Sequence, residues 1–178
     1  KNMITDARSK YPVKTEEFDQ NTNLFNCKNG TYNLETGTLQ KHNPEDYISK
    51  ISNVYYDPAA SGTEIEKFMN TIMQGNKENI EYIQKILGLA LMGNTDEEKL
   101  FIFYGPSTRN GKSTLVETFL FMIKDYGTTM QPESLALSKK DSRSASSDIA
   151  RLKGVRFVDA PEPPQSMRLD AALIKQLT

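Results

Sequence analysis

The sequence predicts an α/β fold, on two observations. A continuous apolar run of strand length, residues 100–104, leads through a glycine-bounded polar loop into a helical pattern. A second apolar run, residues 155–158, follows a serine-rich linker and precedes another helical pattern. The order strand, loop, helix, linker, strand, helix is typical of α/β proteins. The chain then divides into a β-rich region (residues 1–62), a helical lead-in (63–97) and this α/β core (98–178).

The composition is that of a folded protein with little net charge. Of its 178 residues, 37% are hydrophobic and 25% are charged, which excludes a disordered chain. The net charge of -1 gives no overall basic footprint, so nucleic-acid binding must come from local patches or from parts outside this sequence. No run approaches the roughly 18 apolar residues of a membrane span, so we expect no membrane association. Because the sequence starts at Lys1 and stops at Thr178 inside an apparent helix, we expect a fragment of a longer protein.

The β-rich region is expected to form a small meander. Leu24–Cys27 and Thr31–Leu34 flank Asn29-Gly30, which favours a tight hairpin turn because both positions tolerate positive φ. Thr38–Gln40 follows a second turn, and Ile48–Tyr56 is a further strand candidate.

Two amphipathic helices are predicted in the lead-in. Thr63 and Glu66 have the spacing of a capping box that starts the first helix, and Gly75 ends it. Asn76 caps the second helix, and Gly93 ends it. The apolar faces recur at helical spacing, at Ile65, Phe68, Met69, Ile72 and Met73 in the first helix and at Ile80, Ile83, Leu87 and Leu91 in the second.

The α/β core begins with a strand at Leu100–Tyr104, whose continuous apolar run indicates burial on both faces. The helix after the loop spans Lys112–Lys124. Val155–Val158 is the second strand, which ends in Asp159, and a last helix begins near Ser166. The inward residues of these helices are Leu115, Phe119, Met122 and Ile123 in the first, and Leu169, Leu173 and Leu177 in the last.

The loop between the first strand and its helix has the features of a P-loop, which binds the phosphates of ATP. Backbone amides of a glycine-flanked turn, with the positive end of the following helix, supply the donors that a triphosphate needs. Gly111 lets the backbone approach the ligand, Lys112 reaches the β- and γ-phosphates, and the Ser113 hydroxyl is placed to ligate Mg²⁺. The predicted ATP-binding residues are Gly105, Pro106, Ser107, Thr108, Arg109, Asn110, Gly111, Lys112, Ser113 and Thr114.

This loop is one residue longer than the standard pattern. Five residues rather than four separate Gly105 from Gly111, and Pro106 stands where the first glycine is expected. The alternative interpretation is a surface loop that contains Gly-Lys-Ser by chance. The strand before the loop and the helix after it favour the P-loop.

Mg²⁺ chemistry also needs a carboxylate at the end of a neighbouring strand. Asp159 ends the second apolar run, as the acid on the metal side should, and Glu162 could hold the attacking water. Either acid could instead be an ordinary solvated loop residue. Lys112, Asp159 and Glu162 are therefore the candidate catalytic residues, and the candidate metal ligands are Ser113, Asp159 and Glu162.

Several segments resemble, in order, those of a known family. Asn110–Thr114 resembles the P-loop of the bacteriophage and plasmid primase-helicase family, which are superfamily III helicases with an AAA+ type core. The match covers roughly residues 20–178. The other similar segments are Asn29-Gly30, Thr36–Leu39, His42, Asp46-Tyr47 and Tyr56–Ala59 before the core, Tyr82–Gln84, Leu87-Gly88 and Gly93 in the lead-in, and Arg151–Val158, Glu162 and Leu173–Thr178 in the core.

The resemblance implies an ATP-driven 3′-to-5′ DNA helicase that works as a hexameric ring in the replication of a phage or mobile element. It implies ATP and Mg²⁺ as cofactors, single-stranded or forked DNA and further copies of the chain as partners, and the bacterial host cytoplasm as the location. It puts the family's acidic position on Glu162, whereas Asp159 stands where relatives tend to have an apolar residue. The division of labour between the two acids therefore stays open.

The resemblance also implies machinery beyond this sequence. Family members carry a primase domain upstream, and downstream a glycine-rich turn, a DNA-contacting hairpin, a polar sensor residue and an arginine finger. We therefore expect this chain alone to bind ATP weakly and not to unwind DNA.

Two other function classes stay open. A small P-loop kinase would share the loop, although such kinases place it near the N-terminus and carry an arginine-rich lid. A non-catalytic docking or oligomerisation module with a degenerate ATPase would share the N-terminal region.

The remaining reactive or charged residues have plainer interpretations. His42 is expected in a surface loop and Cys27 buried in the meander, where the lack of a second cysteine excludes an internal disulfide and suits a reducing cytosol. Lys139–Ser144 is either a mobile loop facing the DNA channel or a solvated linker. The basic residues Arg151, Lys153 and Arg156 either touch phosphate or face solvent.

Overall fold

The computed structural model describes residues 3, 12–105, 109–137 and 147–178, and within them the fold is a mixed α/β structure with two small sheets. The strands are β1 (Leu24–Cys27), β2 (Gly30–Asn33), β3 (Thr38–Gln40), β4 (Gly127–Thr129) and β5 (Phe157–Asp159). The helices are α1 (Thr63–Ile72), α2 (Lys77–Met92), α3 (Lys112–Ile123), α4 (Ser147–Ala150) and α5 (Ala171–Leu177). Short 3-10 turns occupy Thr15–Glu17, Pro44–Asp46, Lys124–Tyr126 and Pro132–Leu135.

The predicted meander is confirmed, with its first turn shifted by one residue. β1 and β2 pair antiparallel with Cys27 opposite Gly30, so the turn consists of Lys28 and Asn29. The Asn29 side chain bonds the backbone of Tyr56 in both directions, donating to its carbonyl at 2.8 Å and accepting from its amide at 2.9 Å. This pair of hydrogen bonds holds the turn against the segment that follows the meander.

The prediction of a regular strand at Ile48–Tyr56 is wrong. The segment is extended, but its amides bond different neighbours in turn: Ser52 donates to Asn26 of β1 at 2.8 Å, and Asn53 donates to Met122 of α3 at 2.9 Å. Because its partners lie on a strand and on a helix end, no single partner strand can support a continuous ladder.

Both predicted lead-in helices form, and one cap differs from the prediction. The Asn76 side chain accepts from the Asn79 amide at 3.0 Å, and Gly93 ends α2 with φ 63°. The capping box at Thr63 is wrong, because Thr63 is already the first helical residue and Gly62 precedes it as the cap, without a side-chain hydrogen bond. The α1 face is also incompletely covered, with Met69 buried and Ile65 exposed.

Helix α3 confirms the predicted helix to within one residue and links two hydrophobic clusters. Near its start, Leu115 joins Met69 of α1 and Ile83 and Ile86 of α2 in a cluster that we call the helical core. Near its end, the meander core is formed by Phe119 and Ile123 with Phe25, Cys27 and Tyr126. Cys27 is therefore buried, as predicted.

The strand predicted at Leu100–Tyr104 is absent. This segment belongs to neither described sheet, since β4 and β5 pair with each other in parallel. Phe101 and Phe103 pack against the helical core, whereas Ile102 is 78% and Tyr104 is 85% exposed. Without a neighbouring strand among the described residues, the backbone has no ladder to join and the outer side chains are uncovered.

The C-terminal part differs from prediction in two places. The strand at Val155–Val158 is confirmed in shortened form as β5. It pairs with β4, a strand that the sequence does not predict because it has no apolar run. The last helix begins at Ala171 rather than near Ser166, because the Asp170 side chain accepts from the amides of Ala172 and Leu173 and so fixes the start there. The three-part domain division stays a prediction.

Candidate functional site

The start of α3 has an open, positively charged end. Gly111 precedes the helix in the left-handed conformation at φ 79°, and its carbonyl accepts from the Leu115 amide at 3.0 Å. Among the described residues, no side chain caps this end, and the first turn holds no acidic residue. Because Lys112 adds its charge to the helix dipole, this end favours an anion.

The two ends of the predicted P-loop lie side by side. The Lys112 ammonium donates to the Asn110 side-chain carbonyl at 2.8 Å. A Cβ placed on Gly105 would collide with the Asn110 carboxamide and would lie 3.4 Å from the Lys112 nitrogen. The structure therefore brings Gly105, Asn110 and Lys112 together, whereas Pro106, Ser107 and Thr108 lie outside the described residues.

The other predicted loop residues are at the surface. Arg109 has φ 59° and an exposed side chain. Ser113 and Thr114 lie exposed on the first turn of α3, where a hydroxyl is accessible to a bound ion.

Gly111 has a structural reason to be glycine that the sequence did not reveal. A Cβ at this position would lie 2.5 Å from the Ile72 Cγ2 and 3.3 Å from the Phe68 ring, both on α1. The missing side chain therefore lets α1 pack against the start of α3, and this packing holds the loop end in place.

The two candidate acids have different surroundings. Asp159 is half-buried at the end of β5, and burial, with a smaller effect from the nearby Glu117 carboxylate, raises its pKa. Glu117 lies one helical turn after Ser113, on the same face of α3. Glu162 is exposed at φ 43° and makes no hydrogen bond or ion pair with another described residue.

A groove of about 440 Å³ opens beside Lys112. Its walls come from α2, with Asn79 and Tyr82, and from the uncovered segment Leu100–Tyr104. Asn110 and Lys112 also line it, so the groove is continuous with the loop.

Arg156 is a structural residue, so its solvent-facing interpretation is wrong. Its guanidinium donates to the carbonyls of Leu24 in β1, at 2.7 Å, and of Leu91 in α2, and it lies 4.6 Å from the Tyr126 ring centroid. Burial lowers the pKa of Arg156. This residue joins the meander, α2 and β5.

The remaining candidates lie at the surface or outside the described part. His42, Arg151 and Lys153 are exposed, and Lys139–Ser144 falls outside the described residues. In the described part of the chain, no three His, Cys, Asp or Glu side chains cluster as a metal site. None of the described helices is long and apolar enough to cross a membrane.

One family model and two viral proteins match this chain. Residues 1–74 match the family model described as "D5 N terminal like". The chain is 31% identical over 170 residues to "Putative helicase L207/L206" of Acanthamoeba polyphaga mimivirus, a match that covers 94% of this chain and 18% of that protein. It is 27% identical over 141 residues to "Putative helicase 121R" of Invertebrate iridescent virus 3, which covers 76% of this chain and 15% of that protein.

The chain thus spans 18% and 15% of the lengths of these two relatives. The mimivirus match covers enough of the chain to include the meander, the lead-in and the start of α3, whereas the family-model match ends at residue 74. The chain is therefore similar to the D5 N-terminal family over residues 1–74, and to two viral proteins named putative helicases over most of its length.

Proposed function

We propose that this chain is the part of a replicative DNA helicase that binds the phosphates of ATP, as the first portion of an AAA+ type P-loop core. The observation that carries the proposal is the start of α3, which no described side chain caps and where Lys112 lies beside Asn110 and Gly105. An anion at this position would take over the Lys112 ammonium from Asn110 and gain the helix dipole.

The side chains around α3 suit Mg²⁺ with a nucleotide. Ser113 is accessible on the first turn of α3. Asp159 of β5 lies near Glu117 of α3, and a cation bound there would reduce the repulsion between their two carboxylates. Ser113 and Asp159 would hold the ion, which would neutralise charge on the phosphates. Glu162 is the proposed partner of the attacking water.

In the intact protein, we propose that ATP hydrolysis drives 3′-to-5′ DNA unwinding by a hexameric ring. The names of the two viral relatives support helicase activity. The resemblance of the chain to primase-helicases supports a role in replication. The DNA-contacting parts belong to the longer protein.

The test is ATP hydrolysis by the intact protein, with and without single-stranded DNA. Lys112→Ala should reduce DNA-stimulated turnover at least ~100-fold, because it removes a cation that stabilises the phosphates. Lys41→Ala, an exposed lysine just after β3, is the matched control and should leave turnover unchanged.

Three outcomes would contradict the proposal. Equal turnover in the Lys112 and Lys41 variants would show that Lys112 does not bind the phosphates. Phosphoryl transfer to a small acceptor would favour a kinase, and self-association without any ATP binding would favour a non-catalytic module.

A further inference from the structure

The groove beside Lys112 has two unlike surfaces. Its floor is apolar and comes from the helical core, with Ile83, Ile86 and Leu115. Its rim carries the aromatic ring of Tyr82, which is 58% exposed, and the carboxamide of Asn79. An apolar floor with a few polar groups at the edge is the usual character of a small-molecule site, and about 440 Å³ falls within the usual size range.

These surfaces match a purine base. A base has flat apolar faces that stack on tyrosine, and a polar edge that a carboxamide can read. An asparagine side chain can donate to N7 and accept from the N6 amino group of adenine, whereas the corresponding N7 and O6 edge of guanine presents only acceptors.

The position of the groove limits which molecule can fill it. Asn110 and Lys112 are among the residues that line the groove, so an occupant can contact the start of α3. A nucleotide places its polyanion and its base at opposite ends of one molecule, which fits a cationic helix end that continues into an aromatic groove.

We propose that this groove binds the adenine base of the nucleotide, with Tyr82 stacking on the base and Asn79 reading its edge. The inference rests on the proposed phosphate site. It adds the residues that select the base, on the lead-in helix α2 rather than on the loop or α3.

The experiment compares two ligands on the 178-residue chain, ATP and inorganic tripolyphosphate, by titration calorimetry. Tyr82→Ala should weaken ATP binding about 5- to 100-fold, the usual effect of losing one stacking partner, and leave tripolyphosphate binding unchanged. Tyr82→Phe should restore ATP binding because it keeps the ring. Asn79→Ala should reduce the preference for ATP over GTP.

The control variant is Tyr55→Ala, which removes an exposed tyrosine that lies over Lys28 outside the groove. It should change the affinity for neither ATP nor tripolyphosphate. Lys112→Ala should weaken both ligands.

A photoreactive nucleotide gives an independent location. With 8-azido-ATP, whose reactive group is on the base, the labelled peptides should fall within residues 79–86 or 100–104.

The outcomes separate the two proposals. If Lys112→Ala weakens both ligands while Tyr82→Ala and Asn79→Ala change nothing, or if the label falls elsewhere, the base lies outside this groove and the inference is wrong. If Lys112→Ala changes neither ligand, the phosphate site itself is wrong.

Discussion

The two ends of α3 are built for different purposes. At its C-terminal end, Phe119, Ile123 and Tyr126 are almost completely covered by the meander and β5. At its N-terminal end, no side chain in the described part of the chain caps the backbone, Lys112 bonds a neighbouring loop residue, and a groove lies alongside. One helix therefore carries the stability of the fold at one end and leaves polar groups accessible for a ligand at the other.

Arg156 shows the same contrast when it is compared with Lys112. Arg156 is half-buried and fixed by two backbone carbonyls and an aromatic ring. Lys112 bonds the side chain of Asn110 in the preceding loop. A cation held by backbone carbonyls cannot leave without unfolding its neighbours, whereas a cation held by a loop side chain can change partners when an anion arrives.

The largest expected effect is at the covered end. Phe119→Ala should lower the free energy of unfolding by about 3–5 kcal/mol, because it leaves a cavity in the meander core. Phe121→Ala, two residues on and 71% exposed, should change it by less than about 0.5 kcal/mol. Urea unfolding of both variants measures the difference, and equal losses would show that α3 has no covered face.

Arg156→Lys should cost about 2 kcal/mol of unfolding free energy. A lysine cannot span the carbonyls of Leu24 and Leu91 with one planar group, so one buried carbonyl loses its partner. Arg151→Lys, at an exposed position, should have no measurable effect in the same denaturation series. If the two lysine variants are equally stable, Arg156 does not join the meander to α2.

Gly111→Ala should lower the free energy of unfolding by about 1–3 kcal/mol. The cost has two sources, a left-handed backbone and a methyl group pressed against Ile72. Gly88→Ala is the matched control, because this α2 glycine has open space around it and alanine favours helix by up to about 1 kcal/mol. Stabilisation by both variants would mean that α1 does not pack on the start of α3.

The smallest expected effect is at Asp159. Because its pKa is raised in the folded chain, the native state holds the proton more tightly than the unfolded state, and stability is lost as pH rises through this window. Asp159→Asn should therefore stabilise the chain at neutral pH by no more than about 1 kcal/mol, since the group is partly exposed. The gain should vanish in acid, below the usual pKa of an aspartate.

Thermal unfolding at several pH values checks this prediction. A gain that persists in acid, or a loss at neutral pH, would show that Asp159 is not held in an unfavourable charged state.

Local signals in the sequence predicted helix ends well. Asn76 and Gly93 mark the ends of α2, and Gly111-Lys112 marks the start of α3, because caps and left-handed glycines act within a few residues. Thr63 was misassigned by one position, since a capping residue and a first helical residue look alike in sequence.

Long-range features were not predictable in the same way. The apolar run Leu100–Tyr104 has the composition of a buried strand, but a strand needs a partner, and composition does not say where one lies. Arg156 reads as a surface residue because its partners, Leu24 and Leu91, are distant in sequence. The sequence did not indicate that Glu117 lies near Asp159. The available signal was its spacing of four residues from Ser113, which places both side chains on one face of α3.

The most direct test of the account measures ATP affinity and stability together in Lys112→Ala. We expect the 178-residue chain to lose its ATP affinity in this variant, while its free energy of unfolding stays within about 0.5 kcal/mol of the parent. Unchanged ATP affinity, or a loss of stability as large as that of a meander-core variant, would contradict it.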